Sequence, residues 1–170
     1  MKIKQLADRL TGKLGLEQNE ATRHTDYRLR CAGKIVGLPT LLRVSHGSGE
    51  LANKNLGGIA KGLGLNEHAL KEMVGCRVGR PCVLLCLSSR LLEFVYRQRQ
   101  EQGEIFRPGL LAMLESIEFL LAEPEFIAPP SWTAAERKAL ERSLTIVESL
   151  GEDKDCAPMA NKLIERMRAT

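Results

Sequence analysis

Residues 27–44, YRLRCAGKIVGLPTLLRV, decide the fold. Tyr27, Leu29 and Cys31 alternate with Arg28 and Arg30, the period of two that marks a strand with one buried and one wet face. Ala32-Gly33-Lys34 has turn chemistry, and the apolar run from Ile35 to Val44 reads as the returning strand. Gly37 and Pro39 interrupt that run. A proline has no N–H to give to a ladder, so an edge position or a bulge is expected there.

Outward from this hairpin the period changes to that of helices. Ile3, Leu6, Ala7, Leu10 and Leu14 predict an amphipathic helix over residues 2–14, ended by Gly15 and the polar stretch 17–22. Downstream, Ser45-His46-Gly47-Ser48-Gly49 reads as a loop. A helix through Leu56, Ile59, Ala60 and Leu63 should follow, break at Gly64, and restart over 67–74 with Asn66 as its cap. Gly57 and Gly58 weaken the first of these helices by about 1 kcal/mol each relative to alanine, so packing has to compensate.

Everything after Gly75 reads as helix. A long one enters at Pro81, carries Cys82, Leu85, Leu92, Val95 and Tyr96, and ends near Gly103. Pro108 opens another, with Leu111, Leu114, Ile117 and Leu121 on one face, stopped by Pro124. Ala128-Pro129-Pro130 reads as a linker, and Thr133 with Glu136 forms a capping box for a helix carrying Leu140, Leu144 and Val147, ended by Gly151. A short helix around Met159 to Met167 closes the chain. The expectation is an α+β fold: a small helix–sheet–helix module over residues 1–76, then a larger all-α region over 77–170.

Composition narrows the class. With 44% hydrophobic and 27% charged residues the chain is globular, and with 4% aromatic its core must rest on Leu, Ile, Val and Ala. No apolar run reaches the roughly 18 residues that span a bilayer, and the charged start MKIKQLADRL lacks the features of a secretory signal. A cytoplasmic protein is expected. The five cysteines, at 31, 76, 82, 86 and 156, are an odd number without framework spacing, which favours reduced thiols. Cys82 and Cys86 share a helix face but lack a further ligand at metal spacing, so both are expected as small buried side chains. His24, His46 and His68 show no metal spacing and no phosphate-cradling glycine loop is present; neither metal nor cofactor is expected.

Charge is placed unevenly. Residues 1–76 hold 12 Lys+Arg against 7 Asp+Glu, a net of +5, and the rest hold 13 against 14, a net of −1. That asymmetry points to an anionic partner for the first part, with Arg23, Arg28, Arg30, Lys34, Arg43, Lys54, Lys61 and Lys71 as candidate ligands.

Two short stretches carry a resemblance. His24-Thr25-Asp26-Tyr27 and Val44-Ser45-His46-Gly47 with Glu50-Leu51, followed by Leu56 and Ile59, are similar to landmarks of the HicA-like RNase toxins of bacterial toxin–antitoxin pairs. The similarity covers residues 2–75, with Thr22-Arg23 standing where that family has Gly-Ser. It implies a helix, a three-stranded sheet and a helix, related to the double-stranded-RNA-binding fold, and a metal-independent endoribonuclease with His24 at the catalytic position. Imidazole exchanges a proton near neutral pH, so His24 suits acid–base work, and His46 is the candidate for the second proton-transfer partner. Arg23, Arg28 and Lys34 would bind the phosphate. Asp26 is expected on the opposite side of the strand, out of reach of the imidazole.

Two other readings compete. Ala60, Gly64, Leu70 and Met73 in residues 56–74 fall at the offsets of a helix-turn-helix, which would make a DNA-binding regulator presenting Asn66, Glu67, His68 and Lys71. The helical half carries no evident chemistry, which suits a scaffold subunit. Its near-continuous Leu91, Leu92, Phe94, Val95 and Tyr96 fit either a surface covered by a partner protein or second copy, or the central helix of a bundle.

Overall fold

The computed structural model of the protein describes residues 1–20, 23–31, 34–35, 42–45, 49–102, 108–122, 132–150 and 156–168, apart from some side chains, those of Lys34 and Lys54 among them. His46, Pro39, the linker 128–130 and the expected helix stops at Gly103, Pro124 and Gly151 lie outside the described residues.

The chain opens with α1 (Ile3–Gly12), whose Leu6 and Leu10 are wholly buried together with Leu14 just beyond it. It continues through β1 (Glu17–Glu20), β2 (His24–Arg28), β3 (Arg30–Cys31), β4 (Lys34–Ile35) and β5 (Leu42–Ser45) to α2 (Asn53–Gly62) and α3 (Glu67–Val74). Strands β1, β2 and β5 form a three-stranded antiparallel sheet in that order. Its register places Glu17 opposite Arg28, His24 opposite Ser45, and Asp26 opposite Arg43. The short β3–β4 ladder pairs Arg30 with Ile35 and extends the hairpin. The first part is therefore a helix, a small antiparallel sheet and then helices, the α+β arrangement expected.

Two sequence expectations fail in detail. The polar stretch 17–22 reads from its residues as an irregular end to the first helix, yet its first four residues are an edge strand. All four side chains of β1 are exposed, so it has no apolar alternation to betray it; its strand character comes from pairing with β2. The clear strand also begins at His24 instead of Tyr27, because the ladders to β1 and β5 reach past the apolar alternation.

The remaining helices are α4 (Arg80–Gln102), α5 (Pro108–Leu121), α6 (Ala134–Leu150) and α7 (Ala157–Arg168). Helix α4 packs against the other three, and Leu91, Leu92 and Val95 of its apolar run are buried; Phe94 is the exposed one. Small residues let α4 and α6 approach closely. Cys82 Sγ lies 3.7 Å from the Glu136 carbonyl oxygen and Cys86 Sγ 3.8 Å from that of Ala139, and the Ser89 hydroxyl donates to the Ser143 carbonyl at 3.1 Å. A hydrogen bond with Cys86, followed by burial, pushes the Cys82 thiol well above its ordinary pKa.

Polar ties hold the first part together and join it to the second. Arg9 Nε donates to the Val74 carbonyl at 3.1 Å and Lys13 Nζ to that of Met73 at 3.2 Å, cations placed at the carbonyl end of α3. Arg80 Nε reaches back to the Leu14 carbonyl at 3.1 Å. Gly64, at φ +73°, sits on the α4 backbone so closely that a Cβ there would lie 2.2 Å from the Cys86 carbonyl oxygen. The Thr133–Glu136 capping box forms as expected, with Glu136 Oε2 accepting from Thr133 N at 2.8 Å and Glu136 N donating to Thr133 Oγ1 at 3.2 Å. The same carboxylate accepts from Gly79 N at 2.5 Å through Oε1, so it serves the starts of both α6 and α4. One buried apolar cluster runs from Leu6 to Met167 through both parts.

Candidate nucleic-acid interface

The alternation of β2 gives the sheet two chemically different faces. Tyr27 points into the core with its ladder partner Leu42, and Val44 is buried beside them. His24, Asp26 and Arg28 occupy the other face. Ladder pairing brings Arg43 and Ser45 of β5 alongside them on one flank, and Glu17 and Asn19 of β1 on the other.

The centre of this face is a carboxylate held by a guanidinium. Arg43 Nε donates to Asp26 Oδ1 at 2.8 Å and Arg43 Nη2 to Oδ2 at 3.3 Å, the two-pronged geometry that arginine makes with carboxylates. The hydrogen bond and then the charge of Asp26 raise the Arg43 pKa further above its ordinary value. Asp26 is almost buried, whereas the Arg43 side chain is 59% exposed and keeps one side toward solvent.

His24 Nε2 lies 3.8 Å from Asp26 Oδ1. This corrects the expected separation of the two: residues two apart on a strand share a face, so Asp26 stands beside the imidazole and not behind the strand. The spacing is beyond a hydrogen bond and within an ion pair once the imidazole is protonated.

The other expected ligands divide into two groups. Arg23 is exposed immediately before β2. Arg28 follows Asp26 on the polar face, and its Nε is buried without a hydrogen-bond partner among the described residues. Arg30 Nε donates to Glu17 at 2.7 Å, which, ahead of the charge of Arg30, holds the Glu17 carboxyl below its ordinary pKa. Lys61 and Lys71 are exposed on α2 and α3. The side chains of Lys34 and Lys54, and all of His46, lie outside the described residues.

Residues 56–74 do form two helices around a turn. Gly64 has φ +73°, the Asn66 side chain caps α3 by accepting from Ala69 N at 2.7 Å, and Ala60, Leu70 and Met73 are buried. Toward solvent α3 presents Glu67, His68 and Lys71.

Sequence reasoning overlooked a set of cations in the helical half. Arg90 and Arg97 of α4 and Arg142 of α6 line a cavity of about 430 Å³ together with Lys61 and two carboxylates, Glu67 and Glu93. Arg90, Glu93 and Arg97 recur at three and four residues along one helix, a spacing that signals a shared face. The contribution of α6 had no such signal.

No protein-family model, curated protein or solved structure matches the chain. Among the described residues no cluster of His, Cys, Asp and Glu is arranged to hold a metal ion, and no helix is long and apolar enough to cross a membrane.

Proposed function

We propose that this is a cytoplasmic RNA-binding protein of HicA-like type that receives RNA on the polar face of the β1–β2–β5 sheet and works with a protein partner. The observation that supports it is the placement of His24, Asp26 and Arg43 together on the outward face of the central strand and its neighbour. Arg43 is held in place by Asp26 and offers its exposed side to a phosphate oxygen. Arg28, with its orphaned Nε, adds a second guanidinium.

The same arrangement suits metal-independent RNA cleavage. His24 would take the proton of a 2′-hydroxyl, whose oxygen attacks the adjacent phosphorus to give a 2′,3′-cyclic phosphate. The 5′-oxygen leaves with a proton supplied by a second group. His46 is the sequence's candidate for that donor.

A direct test measures binding and cleavage of labelled RNA by the full chain and by His24→Ala and Arg43→Gln. Loss of cleavage in His24→Ala with binding retained supports a nuclease. Weaker binding in Arg43→Gln without cleavage by any form supports a binding protein. No affinity for RNA at physiological salt refutes the proposal. The helix-turn-helix reading draws support from the Gly64 turn, but Glu67 offsets Lys71 on the outward side of α3, which weighs against phosphate binding there. Duplex DNA binding lost on Lys71→Glu and indifferent to His24 would reverse this preference.

A further inference from the structure

The polar sheet face does not end at β5. Beside that edge strand, a cavity of about 320 Å³ is lined by Arg43, Ser45 and Asn55, by Gly58 and Gly62 of α2, and by apolar residues that include Val44 and Ile59. A second, of about 290 Å³, shares Gly58 and Gly62 and adds Lys61, Arg90, Phe94 and Met113. The cavity of about 430 Å³ shares Lys61 and Arg90 with the second and adds Arg97 and Arg142. The three cavities thus follow one another around α2, each sharing residues with the next. The course they mark leaves the sheet at Arg43, crosses α2, and ends between α4 and α6.

Its lining is that of a single-strand tract. Five cations, Arg43, Lys61, Arg90, Arg97 and Arg142, come from four elements and face two carboxylates, Glu67 and Glu93. Glu93, with its side chain only 14% exposed, holds Arg90 at 2.9 Å and also pairs with Arg97, so both guanidiniums are fixed in place. Among them stands Phe94, 38% exposed where a buried aromatic would ordinarily be found. A Cβ on Gly58 would meet nothing within 4 Å, so this position opens directly onto the cavities it lines.

We propose that this groove carries a single strand of RNA from the sheet across to α4 and α6, with phosphates on Lys61, Arg90, Arg97 and Arg142 and a base on Phe94. The inference rests on the reading of the sheet face as an RNA surface. Cations with an interleaved exposed aromatic are how sequence-tolerant single-strand sites are built. An extended peptide along β5 would use backbone pairing at that edge, and it would have no use for cations as far away as Arg142.

The test uses the full chain and fluorescent oligouridylates from about 4 to about 16 nucleotides, read by anisotropy across a salt series. Parent affinity should climb with length. Gly58→Phe should remove the gain from length without lowering the thermal midpoint. Phe94→Ala should weaken the long oligomers about fivefold or more. Lys61→Gln with Arg142→Gln should reduce the slope of log K against log salt by about 1.4, two single-strand phosphates. If Gly58→Phe fails to fold, the latter variants decide the matter alone. Long oligomers that bind all these variants as they bind the parent, but bind Arg43→Gln weakly, would overturn the groove and leave the sheet surface standing. Absence of RNA affinity in every form would remove the sheet reading itself. Binding of an acidic peptide in place of RNA, lost on Gly58→Phe, would overturn the choice of occupant.

Discussion

Replacing Glu136 by alanine should cost the protein far more than an ordinary helix-surface substitution. The carboxylate is 8% exposed and accepts from three donors: Thr133 N at 2.8 Å, Thr133 Oγ1 at 2.9 Å and Gly79 N at 2.5 Å. Losing the capping box removes about 1 kcal/mol. The Gly79 N–H, at the entrance to α4, then lacks its acceptor, which costs a further 1 to 2 kcal/mol or so. About 2–3 kcal/mol in all corresponds to a fall in thermal midpoint of about 4–12 °C for a chain of this size. Glu136→Gln keeps one acceptor oxygen and should recover part of the loss. Urea unfolding at constant m-value provides the measurement, and Thr133→Ala completes a double-mutant cycle. The two substitutions should couple by about 1 kcal/mol, because they break one network. A Glu136→Ala protein within about 0.5 kcal/mol of the parent would refute the double-cap assignment, since that is the range of uninvolved surface sites.

Two glycines should respond oppositely to the same substitution. Gly64→Ala meets both a positive φ and the Cys86 carbonyl, and should lose about 3 kcal/mol or more, read by denaturant unfolding. Gly58→Ala, in a helix with open space around it, should gain about 0.5–1 kcal/mol. Burial raises the pKa of Tyr27 against the smaller opposing effect of its hydrogen bond to Gln18. Its neutral form therefore contributes stability that is complete below the ordinary tyrosine pKa of about 10 and is lost as pH rises through the raised value. Absorbance titration should show Tyr27 as a late phase accompanied by unfolding, and Tyr27→Phe should remove that phase. Among the cysteines whose side chains are described, Cys76 is exposed while Cys82, Cys86 and Cys156 are buried, so Cys76→Ser should remove one fast-reacting equivalent of a thiol reagent.

Much of this structure was legible because its causes are local. Asn66 before Glu67, Thr133 three residues ahead of Glu136, and apolar residues at helical spacing are short-range patterns, and the helices stand where those patterns place them. Strand β1 was not legible, since its four exposed residues carry no burial pattern and only the ladder to β2 makes them a strand. The site was half legible. His24, Arg28 and Arg43 were found from residue type and neighbourhood. The companionship of His24 and Asp26 follows from strand parity once β2 is known to start at His24. The groove was invisible because its cations sit on four elements that only tertiary packing brings together.

The undivided apolar cluster has a consequence for anyone who would excise the first part of the chain. A fragment ending at residue 76 would keep Leu70, Met73 and Val74 but discard Val78, Cys82, Val83 and Leu87 from the same cluster. It would also strip the Gly64 turn of the Cys86 backbone on which it rests. Such a fragment would present a freshly cut apolar surface to water and invite aggregation, so a graft of this sheet module onto another protein has to carry α4 with it.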